Sequence, residues 1–381
     1  MRQDIYDVMR KWLWLEDEQG IDIILAAVIA NMYPGEPVWM FIVDAPSGGK
    51  TEICRALSTS TQYIYAVDSL TPQSLLSGFK SGKHRPDIPV DILNDLDGKV
   101  LVIKDFTTIL QKPQQSRDEL FGRLRAAYDG TLCIAFGSGV KRVERIAKFG
   151  LLAAVTAAID DFGTIHALLG ERFLKIRPRN NDYQMGKAAL KHSGQELVMR
   201  REISQAVDGS LRIYAAKVSE LPTLLPTTEE KFVALAMITA RLRTPIPRDH
   251  YHHQVISIPQ PEYSPRLAKQ YKRLTQALVL LGAYNYAHIT RICEDSTIRF
   301  RLPLLKKVKK AGTIRSAELA EGYKFPRNYL NNMMEDLWLL GTVNRALVAI
   351  SDDAESIDGK KKTYEYSITK QFGKLMENAQ I

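Results

Sequence analysis

Cysteine is scarce in this sequence, with Cys54, Cys133 and Cys293 the only three among 381 residues. They lie far apart and form no Cys-x-x-Cys pair, which argues against both a disulfide framework and a zinc knuckle. Three separated thiols suit a reducing compartment. We therefore interpret them as core or incidental residues.

Long hydrophobic runs are also missing. The apolar stretch Ile23–Met32 is too short to cross a bilayer or to form a signal peptide, and the amphipathic segment Met1–Trp14 that precedes it is charged. We expect a cytoplasmic protein without a membrane partner.

Acidic residues are outnumbered, since 43 Asp and Glu face 52 Lys and Arg and leave a formal net charge of +9. The excess is regional, because Tyr263–Lys310 holds eleven Lys or Arg against only Glu294 and Asp295. A basic region of this kind makes an acidic polymer a plausible partner.

Short apolar runs alternate with helical patterns through the first half of the chain. Each run has the length and content of a fully buried strand, which predicts an α/β fold with a parallel sheet covered by helices. The strand candidates are Val38–Val43, Tyr63–Val67, Val100–Ile103, Leu151–Val155 and Phe173–Ile176.

The last 80 or so residues have a different order of elements. Three helical patterns are followed by two strand-like runs, Thr342–Ile350 and Thr363–Ile368, which a lysine-bearing polar loop joins. This order is typical of a winged helix-turn-helix.

A phosphate-binding motif follows the first strand. The segment Asp44–Thr51 reads DAPSGGKT and leads into a helix, which is the context that a P-loop needs. Glycines let successive backbone amides face an anion, a lysine neutralises the terminal phosphates, and a threonine hydroxyl holds Mg²⁺. Asp44 stands where the motif's first glycine is expected, so its carboxylate must point away from the phosphates. The residues that we predict to bind ATP here are Pro46, Ser47, Gly48, Gly49, Lys50, Thr51 and Glu52.

A second motif, Val100–Asp105, is an apolar strand that ends in one acid. A Mg²⁺-ATP site needs a carboxylate at the tip of a neighbouring strand, and usually a second acid that orients the attacking water. Only Asp105 is available here. If the usual Asp-Glu pair is laid over Lys104 and Asp105, Asp105 activates water; shifted by one residue, it is a metal ligand. Both roles stay open.

Five segments in order, DAPSGGKTE, VLVIKDFTTIL, GLLAAVTAAID, LGERFL and YSPRLAKQ, resemble the motif set of AAA+ ATPases. The resemblance is closest to the minichromosome-maintenance-like helicases of phages and mobile elements, and it covers roughly residues 20 to 285. It implies three parts: an N-terminal helix over 1–20, an ATPase core with a helical lid over 21–285, and a winged-helix module over 286–381.

The resemblance also implies roles for three polar residues. Thr156 matches the sensor-1 position, whose side chain contacts the γ-phosphate or the attacking water. Arg172 matches the arginine finger that completes the neighbouring subunit's site, and Arg266 matches the sensor-2 arginine of the lid. Sites completed in trans require a ring, and the family expectation is a hexamer.

Two basic surfaces are candidates for DNA contact. Between residues 131 and 149, two strand-like halves flank Gly137-Ser138-Gly139, which resembles the hairpin that such helicases project into the ring channel. Its Lys141 and Arg142 could follow the backbone of single-stranded DNA. In the C-terminal module, Arg327 on the third helix and Lys360 and Lys361 in the loop are candidate phosphate contacts.

The function that we expect is an ATP-dependent DNA motor, a replicative-type helicase that hydrolyses ATP at subunit interfaces with Mg²⁺ as cofactor. Two alternatives share these motifs. One is a nucleotide-switched assembly or regulatory protein with little turnover, which Asp44 and the single acid favour. The other is a protein remodeller, for which pore aromatics would replace Lys141 and Arg142.

Overall fold

The computed structural model describes residues 2–14, 16–76, 91–134, 143–160, 172–217, 220–249, 251–324, 326–349 and 362–381. The chain divides into two compact units. The first consists of Met1–Leu224 and Lys269–Ile292, and the second of Leu225–Ala268 and Cys293–Ile381.

The first unit is built on a five-stranded sheet in which every neighbouring pair is parallel. The predicted α/β class with a parallel sheet is therefore confirmed. Its strands are β1 (Trp39–Val43), β2 (Ile64–Val67), β3 (Val100–Ile103), β6 (Gly150–Val155) and β7 (Phe173–Ile176), in the spatial order β2-β3-β6-β1-β7. A separate antiparallel pair joins β4 (Thr131–Ile134) to β5 (Val143–Ile146).

Helices flank this sheet. They are α1 (Arg2–Trp12), α2 (Glu18–Asn31), α3 (Lys50–Ser58), α4 (Pro72–Leu75), α5 (Leu93–Leu96), α6 (Thr107–Leu110), α7 (Gln114–Tyr128), α8 (Asp182–Lys191) and α9 (Glu196–Lys217). The apolar stretch in α2 is buried from Ile23 to Ala30, so it is a core helix. Across the described ranges, no helix is long and apolar enough to span a membrane.

An aromatic cluster anchors one face of the sheet. Phe41 of β1 stacks on Phe173 of β7 with ring centroids 3.9 Å apart. Phe106, which follows Asp105 three residues after the end of β3, lies edge-on to Phe41 at 4.9 Å. All three rings are at most 6% exposed. Their burial stabilises β1, β7 and the segment after β3, because each large side chain removed from water contributes about 1.5–3 kcal/mol.

The second unit holds α10 (Pro226–Arg243), α13 (Arg301–Ala311), α14 (Ser316–Ala320), α15 (Arg327–Leu339) and α16 (Lys370–Asn378). Two further helices, α11 (Pro265–Leu281) and α12 (Tyr286–Ser296), contribute residues to both units. A three-stranded antiparallel sheet of order β8-β10-β9 completes the unit, from β8 (Thr313–Arg315), β9 (Val343–Ala349) and β10 (Lys362–Ile368).

Residues 225–268 group with the C-terminal elements, whereas the sequence-based division placed them with the ATPase core. Buried polar contacts explain the grouping. The Arg301 guanidinium, 2% exposed, donates to the carbonyls of Leu242 and Thr244 at 3.1 and 2.7 Å. These bonds pair backbone carbonyls at the C-terminal end of α10 with a side chain of α13.

Candidate functional site: a phosphate loop and two strand ends

The loop after β1 has the backbone of an anion-binding nest. Ser47 has φ +64° and Gly49 has φ +83°, with Gly48 between them outside the left-handed region. Alternation of left-handed and right-handed residues turns successive N–H groups toward one point. The amides of Ser47, Gly49, Lys50 and Thr51 have no hydrogen-bond partner among the described residues. A left-handed serine is strained by about 1 kcal/mol or more, and such strain concentrates at functional sites.

The Lys50 side chain folds over this loop. Its Nζ donates to the backbone oxygens of Asp44 at 2.8 Å and Ala45 at 2.5 Å, and the residue is 9% exposed. Burial lowers the pKa of the ammonium, while the nearby carboxylates of Asp44 and Asp105 act in the opposite direction. The Lys50 ammonium is therefore close enough to Asp44 in the P-loop and to Asp105 after β3 to be stabilised by both negative charges.

Asp44, the departure from the motif, is held by two donors. Its Oδ1 accepts from the Ala45 amide at 2.7 Å and its Oδ2 from the Asn180 side chain at 2.7 Å. A Cβ on Gly48 would lie 2.1 Å from Asp44 Oδ2, so only glycine fits beside this carboxylate.

Thr51 and Glu52 follow Lys50 on α3 and differ in their surroundings. Thr51 is exposed. Glu52 is engaged by two arginines, since its carboxylate accepts two bonds from Arg200 of α9 at 2.9 and 3.0 Å and one from Arg55 at 2.8 Å. The Glu52 side chain therefore joins α3 to α9, and these contacts give no support to the predicted nucleotide contact.

Asp105 and Thr156 stand at the ends of neighbouring strands, β3 and β6. Asp105 is exposed, and its Oδ1 accepts from the Thr107 amide at 3.0 Å. The Thr107 hydroxyl accepts from the Thr156 amide at 3.2 Å and lies 3.5 Å from the Thr156 hydroxyl. The amide of Asp44 donates to the Val155 carbonyl at 3.2 Å, so the P-loop begins beside Thr156. Polar groups from three adjacent strands thus meet at one edge of the sheet, where α/β proteins bind ligands.

Oxygen donors suited to Mg²⁺ lie at this edge. Mg²⁺ is usually bound through one or two carboxylates together with waters and substrate phosphates. The exposed Thr51 hydroxyl and Asp105 Oδ2, for which the described residues provide no hydrogen bond, fit that chemistry. Lys104 does not, because its ammonium lies 3.2 Å from Asp68 at the end of β2. Neither at this edge nor elsewhere among the described residues is there a group of three or more His, Cys, Asp or Glu that could hold a metal ion.

Arg172 lies at the opposite edge of the sheet. It directly precedes β7, whereas the P-loop follows the far end of β1, about 17 Å along a five-residue strand. The residue is 5% exposed; its guanidinium pairs with Asp129 at 2.9 Å and lies 5.3 Å from the centre of the Tyr128 ring. In this arrangement Arg172 holds β7 against the end of α7, and it does not present the exposed guanidinium that an arginine finger needs.

We expect Arg172→Ala to lower the free energy of unfolding by about 1–3 kcal/mol, because it removes a buried guanidinium, its ion pair and its ring contact. Urea denaturation of the variant and the wild type measures the difference. Asp129→Asn is the matched control: it keeps an acceptor for Arg172, and Asp129 is 60% exposed, so its effect should be smaller. An Arg172→Ala protein as stable as the wild type would contradict this structural role.

A polar cavity of about 690 Å³ adjoins the P-loop. The pair Asp17–Arg291 forms one wall, with guanidinium nitrogens 2.5 Å from both carboxylate oxygens. Burial raises the pKa of Asp17, but the hydrogen bonds from Arg291 and from the Arg179 amide act more strongly, and the pKa lies below its usual value. The lining residues are Glu16, Asp17, Glu18, Gln19, Arg179, Asn180, Asn181 and Arg291.

Sequence reasoning missed this cavity and Asn180. One signal was present, since Arg179, Asn180 and Asn181 begin three residues after the end of β7, and the carboxyl ends of parallel strands are where ligands bind. Asp17 and Arg291 carried no such signal, because their pairing joins residues 274 positions apart.

The remaining predicted residues are the sensor-2 candidate and the candidate DNA contacts. Arg266 belongs to the second unit, where its guanidinium lies 3.7 Å from the Glu262 carboxylate. The strands that flank the predicted hairpin tip are present as β4 and β5. Lys141, Arg142, Lys360 and Lys361 lie outside the described residues, and the Arg327 side chain is likewise not described.

Arginines of the second unit pair with the two acids of α15. Glu335 lies 2.9 Å from Arg248 and 3.5 Å from Arg345, and Asp336 lies 2.6 Å from Arg248 and 2.9 Å from Arg301. Their charges are therefore compensated within the unit.

No protein-family model matches the chain, and a search of the curated proteins gave no match.

Proposed function

We propose that this protein is a Mg²⁺-dependent ATPase of the AAA+ type that acts as a motor on DNA. One observation carries the ATPase part: a left-handed nest, a folded-over lysine and a single carboxylate share one sheet edge. This combination suits phosphoryl transfer, in which catalysis consists almost entirely of positioning and charge stabilisation.

The proposed division of labour follows from the side chains at that edge. The amides of residues 47–51 and the N-terminus of α3 bind the phosphate oxygens. Lys50 leaves the two carbonyls that it contacts and neutralises the β- and γ-phosphates. A bound Mg²⁺, held by Thr51 and Asp105 or by its waters, would add further positive charge at the same phosphates. Asp105 alternatively orients the attacking water, and Thr156 supports it from the adjacent strand.

The nucleoside end of ATP is assigned to the cavity beside the P-loop. The cavity volume of about 690 Å³ is in the range of small-ligand sites. Asn180 belongs both to the cavity lining and to the P-loop contacts, so the two spaces are continuous at this residue.

The AAA+ assignment extends to a ring, with a hexamer as the expected state. Arg172 is too far from the P-loop of its own chain to serve there, so any catalytic role must be in a neighbour's site. In that role its guanidinium would leave Asp129 and contact the phosphates of the ATP bound by the adjacent subunit. Arg266 is the proposed sensor-2 arginine, released from Glu262 when nucleotide binds.

DNA is the proposed track. The β4–β5 pair supports a hairpin whose Lys141 and Arg142 would contact the backbone of single-stranded DNA independently of sequence. We assign the C-terminal part of the second unit to the winged-helix class from the succession of α13, α14 and α15 and from the three-stranded antiparallel sheet. Because Glu335 and Asp336 are neutralised within the unit, the acids of α15 do not oppose DNA contact by Arg327, Lys360 and Lys361. A replicative-type helicase of a phage or mobile element is the specific role that these assignments favour.

Steady-state ATP hydrolysis with and without single-stranded DNA tests this proposal. We expect DNA to raise the turnover several-fold, and we expect Lys141→Ala/Arg142→Ala to lose that stimulation while its basal hydrolysis persists. A turnover that DNA does not change would remove the motor assignment and leave the ATPase.

The alternative is a nucleotide-switched assembly protein with little turnover. Its support is Lys104, a cation that directly precedes Asp105 where a second acid would otherwise stand, and that pairs with Asp68. ATP binding without hydrolysis would favour it.

A further inference from the structure

Asn180 joins the first residue of the P-loop to its middle, a contact to which no role has been assigned above. Its side-chain amide donates to Asp44 Oδ2 at 2.7 Å and to the Gly48 carbonyl at 3.1 Å. A single NH₂ group therefore bridges the first residue of the loop and the glycine four positions later.

The loop that carries Asn180 is fixed on both sides. The Arg179 amide donates to Asp17 Oδ2 at 2.9 Å, and Asn181 Oδ1 accepts from the Gln184 amide at 3.2 Å as the N-cap of α8. Neighbouring residues thus hold Asn180 in place from the end of β7 to the start of α8.

Asp44 creates the need for this contact. A carboxylate in a loop that binds a polyanion repels the ligand, and the repulsion depends on where the charge is held. Here the carboxylate lies against Gly48, at a distance that leaves no room for a Cβ. The Ala45 amide satisfies Oδ1, and Asn180 is the donor to Oδ2.

We propose that Asn180 is a positioning residue for nucleotide binding: it holds the Asp44 carboxylate against Gly48 and so makes a P-loop that begins with aspartate compatible with ATP. The inference rests on the proposed ATPase function. It assigns Asn180 no contact with the reacting atoms.

Equilibrium titration with Mg²⁺-ATP, read by calorimetry, tests the inference on the full chain. We expect Asn180→Ala to weaken ATP binding by about tenfold, since the released carboxylate can approach the phosphates. Asn180→Asp should weaken it further, because two carboxylates would then meet at Gly48.

A second background separates charge from shape. In Asp44→Asn, which keeps the shape and removes the charge, adding Asn180→Ala should change the affinity by no more than about twofold. A merely structural role for Asn180 would give the same loss in both backgrounds. The matched control is Asn94→Ala, which removes an exposed amide on α5. Thermal unfolding checks that every variant is folded.

The outcomes distinguish the two levels of the argument. A wild type that binds ATP, with an unchanged Asn180→Ala or an equal loss in both backgrounds, overturns the role of Asn180 and leaves the ATPase assignment intact. A wild type that binds no ATP overturns both. If Asn180→Ala weakens ATP binding in the wild type but not in Asp44→Asn, the positioning role is established.

Discussion

Replacing Lys50 by alanine is expected to reduce ATP hydrolysis by at least about a hundredfold, the usual loss when one preorganised charge is removed from a reacting centre. The geometry explains the size of the effect. Lys50 is 9% exposed and its Nζ lies on the carbonyls of Asp44 and Ala45, within the loop proposed to hold the phosphates. ATP affinity should fall as well, because the ammonium contacts phosphates in the bound state and in the transition state.

Lys112→Ala provides the comparison, because it removes a lysine of the same unit with no hydrogen bond or ion pair among the described side chains. Its turnover should equal that of the wild type. If Lys50→Ala instead hydrolysed ATP at the wild-type rate, the loop after β1 would not be a catalytic P-loop, whatever its backbone conformation.

Asp105→Asn is the second large effect, with an expected fall in turnover of about a hundredfold or more. The amide keeps an acceptor for the Thr107 N–H, so the local turn survives while the charge is lost. A magnesium titration then separates the two open roles. If Asp105 binds the metal, the variant needs more Mg²⁺ for half-maximal ATP binding; if it orients water, ATP and Mg²⁺ bind as before and only turnover falls.

Asp68→Asn is the matched control, since it removes a carboxylate from the end of the adjacent strand β2. Asp68 is 85% exposed and pairs with Lys104. Its loss should change turnover by no more than about fivefold, because an exposed ion pair contributes about 1 kcal/mol at most. Equal losses in Asp68→Asn and Asp105→Asn would mean that general charge at this edge, and not one carboxylate, supports the reaction.

The sequence was sufficient for the strands of the parallel sheet. Each is a short, continuous apolar run, and the predicted and observed bounds agree within one residue, as for Val100–Ile103. Burial on both faces explains this success, because such a strand is almost entirely apolar and therefore stands out from its surroundings. Lys175 of β7 is the exception, and its buried ammonium pairs with Asp160 at 2.7 Å. The turn between β1 and α3 was predictable for a related reason, because it depends on consecutive residues; its binding of phosphate stays a prediction.

Contacts between distant residues were not predictable. Asn180 reaches Asp44 across 136 positions, and nothing in either segment indicates the other. The case of Arg172 is similar, since its exposure depends on Asp129, 43 positions earlier. A motif match gives the position of an arginine in the chain, but the packing of α7 against β7 decides whether its guanidinium is accessible.

The two bonds between Glu52 and Arg200 attach α3 to the long helix α9. Helix α9 has 22 residues and is about 33 Å long. Near its start Arg200 grips the first turn of α3, and near its end the Tyr214 carbonyl accepts a bond from the Tyr33 hydroxyl at 2.8 Å. One helix therefore contacts both the helix that carries Lys50 and the turn that leads into β1.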